Sequence, residues 1–249
     1  MNFCVCIKQV PDVSAPMHVQ GGDLVVDAGR VVLNAYDASA VEGALTFVEE
    51  YGGTIDVLLV GPERAAETVR KALAMGADRG LHLVVPEDAD LDSAAVSQIL
   101  ADYLRDKAYD VIAAGKQAQD TDAGLTGSML AERLGLAYVT NAVVLAADSD
   151  TFVVTRQGDT AQEVIAFPTP CVVTISNNMN DPRIPNLRGV MAAKKKPIET
   201  VAVEDVPTAS VRTVSYEPLP TREPGEIVEG TPPTQAATLV RHLQEASVL

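Results

Sequence analysis

Asp110-Val-Ile-Ala-Ala-Gly-Lys-Gln-Ala-Gln-Asp-Thr-Asp-Ala-Gly-Leu-Thr-Gly127 is the stretch that decides the architecture. Its opening, Asp110 to Ala114, is a short apolar run of the kind found in strands buried on both faces. A loop containing Gly115, Gly124 and Gly127 follows. A helix is predicted directly after it, from about Thr126 to Leu134, with Gly135 as its stop signal. Such a strand–loop–helix join offers unpaired backbone N–H groups and the positive end of a helix dipole at one place. That arrangement seats a phosphate, with Thr126 adding a hydroxyl donor. The alternative is an ordinary loop in which Asp122 caps the helix. The stretch is neither G-x-x-x-x-G-K-[ST] nor G-x-G-x-x-G. Asp120 and Asp122 are two carboxylates, too few to specify Mg²⁺, and turn or capping roles suit them better.

Upstream the same alternation repeats. Asn2–Val10 reads as a strand, and Leu24–Val26 with Arg30–Leu33 as a small hairpin about the Asp27-Ala-Gly29 turn. A helix starts near Asp37, with Val41, Ala44, Leu45 and Val48 on one face, and stops at Gly52-Gly53. Thr54–Val60 is a buried strand ending at Gly61-Pro62. Ala65–Met75 is a helix closed by Gly76, and Leu81–Val85 the next strand. Val96, Ile99, Leu100 and Tyr103 mark a further helix, with Asp92 as its N-cap. Strands that alternate with helices and are apolar throughout imply a parallel sheet covered on both faces. Ligands of such sheets sit beyond the carboxyl ends of the strands, which here are Lys8–Pro11, Val60–Pro62 and Gly115–Gly127.

The character changes at Asn141. Val143–Ala146, Phe152–Arg156, Glu163–Phe167 and Cys171–Ile175 are short strand-like runs between polar turns, so an antiparallel annex is expected. From Pro197 to Pro233 the chain is rich in Pro, Thr and Glu and has little periodicity. Leu239, Val240, Leu243 and Leu249 then outline a short amphipathic helix. The expected division is a nucleotide-binding α/β domain over 1–197 and an extended arm over 198–249, suited to packing on another chain.

With 249 residues, 47% of them apolar and 21% charged, the chain has material for a self-sufficient core. Its formal net charge of −15 argues against nucleic acid, whose phosphates need Lys and Arg to displace counterions. It equally gives no support to binding an anionic membrane. No run reaches the roughly 18 apolar residues of a membrane span. The opening NFCVCIKQV lacks a basic flank and a small-residue cleavage site, so it reads as the first strand rather than a signal peptide. Cys4, Cys6 and Cys171 lie in apolar strands and are expected to be free thiols, consistent with the cytoplasm. Cys4 and Cys6 share a strand face, but no second Cys pair or neighbouring His completes a zinc site. His18, His82 and His242 are scattered, and no G-x-S-x-G or H-E-x-x-H set appears. The sequence therefore describes a binding site without visible catalysis. Lys194-Lys195-Lys196 reads as a solvated turn in preference to an anion site. Asn180-Asp-Pro-Arg-Ile-Pro-Asn-Leu187 is a turn-rich loop ending in Leu187, which is either an ordinary exposed leucine or an anchor for a partner's pocket.

Six separated segments, in order, resemble the beta subunit of electron transfer flavoproteins. They are LNAYDASAVEGAL (33–45), ALAMGADRGLHL (72–83), GKQAQDTD (115–122), VTRQGDTAQEVIAFPTPCVVT (154–174), NDPRIPNL (180–187) and MAAKKKPI (191–198), and the opening CVCIKQVPD agrees. The resemblance implies a Rossmann-like, adenine-nucleotide-hydrolase-like α/β fold with a small antiparallel annex and an extended C-terminal arm. It implies an alpha–beta heterodimer whose FAD is held largely by the alpha subunit. The beta site of the family usually holds AMP, here through Cys6, Asn34, Ala35, Asp37, Val60, Gly115, Ala118, Asp122, Ala123, Gly124, Leu125 and Thr126. A recognition loop, here Arg183, Pro185 and above all Leu187, docks on acyl-CoA or other flavin dehydrogenases. Electrons then pass to an acceptor such as a quinone oxidoreductase, and the arm reaches around the alpha subunit.

Three positions depart from the pattern. Leu125 replaces a common Gln and removes one side-chain amide. Asp37 stands where many AMP-binding members have Cys. The Tyr36-Asp37 pairing resembles a subgroup that includes electron-bifurcating members, which oxidise NADH and carry a second FAD in the beta site. Thr160 replaces a usual Gly or Asp, a minor change. The rival outside the family is a stand-alone adenine-nucleotide-binding domain of the stress-protein type, which needs neither a docking loop nor an arm.

Overall fold

A computed structural model describes residues 1–27, 29–149, 151–222 and 224–248. The chain divides into one unit over Met1–Tyr216 and a second that begins at Glu217. The first unit opens with β1 (Asn2–Ile7), buried from Phe3 to Ile7 because both faces of the sheet are covered. The strand expected to continue to Val10 breaks at Lys8 and resumes as β2 (Gln9–Pro11). Next come β3 (His18–Gln20), β4 (Asp23–Val25) and β5 (Val31–Leu33). The expected hairpin between Leu24–Val26 and Arg30–Leu33 does not form: β4 pairs back with β3, and β5 pairs antiparallel with β2. Gly21 and Gly22 decide this, since their φ values of 66° and 91° make the tight two-residue turn that glycine adopts without strain. Ala28, at the centre of the turn predicted instead, lies outside the described residues.

The chain continues through α1 (Ala35–Tyr51), β6 (Thr54–Gly61), a 3₁₀ turn at Glu63–Ala65, α2 (Ala66–Met75) and β7 (Arg79–Val84). It then forms α3 (Ser93–Leu104), β8 (Val111–Gly115), α4 (Thr126–Leu134), β9 (Ala137–Asp148), β10 (Thr151–Gln157), β11 (Gln162–Phe167) and β12 (Cys171–Ile175). The last elements of this unit are α5 (Leu187–Ala193) and β13 (Ile198–Ala202). The predicted N-cap of α3 is in place, with Asp92 accepting from the Ala95 N–H at 2.8 Å. Gly135 closes α4 in the left-handed conformation.

Nine strands form one sheet in the order β11-β10-β9-β12-β8-β1-β6-β7-β13. From β9 to β13 all neighbours run parallel, and β10 and β11 add an antiparallel edge. The expected antiparallel annex is this β10–β11 edge, but it does not include the last of the four runs assigned to it. Cys171–Ile175 is a central parallel strand between β8 and β9, and all five of its residues are buried. The boundary expected at 197/198 also moves, because 198–202 form the edge strand β13 on β7. One covered face is enough for an edge strand, and Ile198 alone meets the main core there. Beyond it the chain stays pinned to the domain. Val203 N–H donates to the Val84 carbonyl at 2.8 Å, Ser210 and Val211 N–H to the Asp92 carboxylate at 2.7 and 3.0 Å, and Tyr216 N–H to Gly22 O at 2.8 Å.

Two apolar layers sandwich the sheet. Between the sheet and α1 and α2, Phe3, Val5, Ile7 and Phe152 of the strands meet Phe47 of α1, with the three rings 5.2 to 6.3 Å apart. Burying each ring is worth roughly 2 to 3 kcal/mol. On the other face Cys4, Cys6, Leu58 and Leu81 of the strands meet Ile99 of α3 and Leu130 of α4. The second unit contains α6 (Pro232–Glu245), the predicted terminal helix, none of whose residues is buried. Leu249, assigned to its apolar face, lies outside the described residues. Among the described residues no helix is long and apolar enough to cross a membrane.

Candidate nucleotide site and docking segment

After β1 the main sheet grows through β6 and β7 on one side, whereas after β8 it grows through β9 and β12 on the other. The boundary between β1 and β8 is therefore the topological switch point, where the loops diverge and leave a crevice. Lys8 follows the end of β1 there, and Gly115 ends β8.

Asp37, in the first turn of α1, bridges the two strand ends. One carboxylate oxygen accepts the Lys8 N–H at 2.7 Å and the other accepts the Gly115 N–H at 2.9 Å. Asp37 is buried, and burial raises its carboxyl from 3.8 to about 7 against the opposing pull of these hydrogen bonds. Gly115 must be glycine for a steric reason. A Cβ there would lie 2.4 Å from Asp37 Oδ1 and 2.6 Å from Tyr36 Cβ.

Asn34 braces the loop from the same helix end. Its Nδ2 donates to Gln117 O at 2.9 Å, and its Oδ1 accepts the Gln119 N–H at 3.1 Å. Gln119 reciprocates, its side-chain oxygen accepting the Ala35 N–H at 3.1 Å. Asn34 is therefore a loop clamp and makes no side-chain cap of α1. Within the loop, Ala118 N–H donates to Ala123 O at 3.0 Å, and Asp122 N–H donates to Ala118 O at 2.8 Å.

Both loop carboxylates are engaged internally. Asp120 takes the Lys8 ammonium on both oxygens at 2.8 Å, and Asp122 accepts the Gln117 side-chain amide. Asp122 thus does not cap α4, whose N-cap residue is Leu125 without a side-chain cap bond. Among the described residues, no protein acceptor meets the N–H groups of Ala123, Gly124, Leu125, Thr126, Gly127 and Ser128. Six consecutive donors at the start of a helix, with Asp120 paired to the Lys8 ammonium, match the chemistry of a phosphate. The residues present fit a nucleotide phosphate.

Cys6 and Val60, each next to last in its strand, lie on the face covered by α3 and α4, in one apolar cluster with Ala114. Cys6 and Val60 therefore pack beside the end of β8, which runs into the loop that carries Ala118 and Asp122 to Thr126. Asn34, Ala35 and Asp37 buttress it from behind. Leu125 is exposed at the lip. Sequence reasoning missed Lys8, Gln117 and Gln119. The signal for Lys8 was a polar residue directly after a buried strand, whereas the two glutamines lie further along the loop after β8. The Cys6 hydrogen bond and burial hold the Cys4 thiol well above its ordinary range, and burial raises Cys171 to about 12. His82 is buried with Nε2 3.1 Å from Gly61 O, and burial lowers its pKa.

On the opposite flank of α1, the 180–187 segment presents Ile184 and Leu187 at 91% and 78% exposure. Val190 and Met191 on α5 extend the apolar surface. Pro185 lines a shallow pocket against the end of α2. Arg183 points the other way, into ion pairs with Glu42 and Glu49 of α1 at 2.8 and 2.5 Å. The solvated turn expected at Lys194-Lys195-Lys196 is corrected in one residue. Lys196 is half-buried, and its ammonium donates to the carbonyls of Leu73, Gly76 and Ala77 at 2.6 to 3.2 Å. The carbonyls at a helix C-terminus attract a cation, which explains the placement.

Residues 23–206 match the model of the family described as electron transfer flavoprotein domain. The chain is similar along its whole length to the electron transfer flavoprotein subunit beta of Bradyrhizobium diazoefficiens, at 36% identity over 253 residues and all of both chains. The subunit of that name from Bacillus subtilis is 32% identical over 257 residues, again covering all of both chains. The caffeyl-CoA reductase-Etf complex subunit CarD of Acetobacterium woodii is 33% identical over 265 residues with the same coverage. The chain belongs to the electron transfer flavoprotein beta-subunit family.

Proposed function

We propose that this chain pairs with an alpha subunit as a heterodimeric electron carrier, accepting electrons from flavin dehydrogenases such as acyl-CoA dehydrogenases and delivering them to an acceptor such as a quinone oxidoreductase. FAD, held largely by the alpha subunit, supplies the one- and two-electron chemistry. This chain's own residues seat an AMP and present a docking surface. The observation that carries the reading is the row of free N–H donors from Ala123 to Ser128 at the β1/β8 switch point. A phosphate there joins the loop to the start of α4, while Asp37 and Asn34 hold that loop against α1. The exposed Leu187 supports the docking role.

A second reading has its own support. The Tyr36-Asp37 pairing and the 33% identity to a subunit of a caffeyl-CoA reductase-Etf complex favour a beta-bound second FAD and NADH oxidation. The same donors receive either phosphate. Co-expression with the adjacent alpha subunit, then acid extraction of the purified heterodimer, separates the readings. One FAD and one AMP per dimer is expected. Two FAD and no AMP selects the bifurcating reading. A stable, colourless monomer that never acquires FAD with any alpha partner would sink both and leave the stand-alone nucleotide-binding domain.

A further inference from the structure

We propose that Arg183 is a positioning residue, fixing the pose of Leu187 by clamping the docking segment to α1, and does not itself contact the partner. The inference rests on the reading of Leu187 as a docking anchor.

Both edges of the Arg183 guanidinium are occupied. Nε and Nη2 meet the two Glu42 oxygens at 2.8 and 2.9 Å, while Nη1 and Nη2 meet the two Glu49 oxygens at 2.5 and 3.1 Å. The Arg183 backbone N–H also donates to Glu42 at 3.0 Å. These are fork-to-carboxylate pairs, the geometry in which arginine fixes orientation as well as charge. Glu42 is buried and its partner is mostly so, so this pair lies in a less screened environment than an ordinary surface ion pair. The hydrogen bonds to Glu49 and Glu42 raise the Arg183 pKa, and the side chain has no donor pair turned outward for a partner's carboxylate.

The clamp lies four residues before Leu187 and does not act alone. Asn180 Nδ2 donates to Ser39 O of α1 at 3.1 Å, three residues ahead of Arg183. Asn186 accepts the Gly189 N–H at 2.9 Å, which caps α5 directly behind the leucine. Arg70 of α2 holds the far end through the carbonyls of Ala193 and Lys196 at 2.7 and 2.6 Å. The segment is therefore tied to α1 before Leu187 and to α2 beyond it. Leu187 and Ile184 project outward between these ties. An anchor held in its bound pose loses less freedom on docking, and that difference appears as affinity.

The test uses the heterodimer with its alpha subunit and an acyl-CoA dehydrogenase that reduces the wild-type complex in the presence of its acyl-CoA. Flavin content, kcat and the KM for the heterodimer are measured for Arg183→Gln, Leu187→Ala and the double variant. Arg183→Gln is expected to keep its flavin and raise KM by about tenfold, with kcat within about twofold. Arg183→Lys, which keeps the charge and lacks the fork, should restore less than half of that loss on a logarithmic scale. The double variant should be no worse than Leu187→Ala alone, because a positioning effect vanishes with the group it positions. Glu49 is 58% exposed, so Glu49→Gln is safe for folding and should raise KM by about two- to threefold. It carries the test if Arg183→Gln fails to fold. Additive effects of Arg183→Gln and Leu187→Ala would assign Arg183 a direct contact and overturn the proposal. So would an unchanged KM in Arg183→Gln or, failing that variant, in Glu49→Gln. An unchanged KM in Leu187→Ala removes the docking reading itself, and the positioning role with it.

Discussion

Asp37→Asn separates two effects that oppose each other at one buried atom pair. In the native chain the carboxylate offers two acceptors to two N–H donors, from Lys8 and Gly115. An amide of the same shape offers one acceptor and turns its NH₂ toward the other donor. Leaving a buried donor unpaired costs about 1 to 3 kcal/mol. Against this, Asn carries no charge. Raising the Asp37 carboxyl from 3.8 to about 7 corresponds to up to about 4 kcal/mol of burial penalty once it is ionised. The folded protein keeps its proton between those two values while the unfolded chain has released its own. Native stability therefore falls as pH rises from about 4 to about 7 and levels off above that. The Asn variant lacks this slope. It should be less stable than the native chain at pH 5, by about 1 kcal/mol, and more stable at pH 8, by about 1 to 3 kcal/mol. Urea unfolding of both chains from pH 4.5 to 8.5 reads the two curves, which should cross. Parallel curves would refute the buried-carboxyl argument. The same substitution should weaken nucleotide retention about three- to tenfold through the lost loop hydrogen bond, so stability and binding move in opposite directions.

Gly115→Ala places a methyl 2.4 Å from Asp37 Oδ1 and 2.7 Å from the Tyr36 carbonyl carbon. The chain should lose about 1 to 3 kcal/mol in urea unfolding, and AMP recovered per heterodimer should drop with it; native values for both would exclude the strand–helix contact. Lys196→Met keeps the stem and removes three carbonyl contacts. A loss of about 1 to 2 kcal/mol is expected, seen as a lower Tm, whereas an unchanged Tm would return Lys196 to a solvated role. Deleting residues 225–249 should weaken association with the alpha subunit in size-exclusion chromatography, because α6 has no buried side chain of its own. An intact, fully flavinated heterodimer would count against that role for the arm.

How much was legible differs from element to element. β6, α2, α3, β8 and α4 were readable within a few residues, because a strand buried on both faces loses its alternation and glycine marks the stops. The loop after β8 was readable as a donor array, and the alternative in which Asp122 caps the helix is not the one that forms. Its actual partner, the Gln117 side chain, is a choice between two local turns that spacing leaves open.

By itself the sequence determined an acidic α/β chain with a phosphate-compatible loop and an exposed leucine on a turn-rich segment, because burial and turn chemistry leave local periodic marks. Only the tertiary structure decided that Cys171–Ile175 enters the middle of the sheet and that 198–202 closes its far edge. Either strand satisfies its own pattern anywhere a covered face is free. The tertiary structure also decided the roles of the polar residues. Asp37 meets Gly115 across 78 positions and Arg183 meets Glu42 across 141. No local pattern records such a partner, since a charge or an amide is satisfied by whichever group the chain path brings to it.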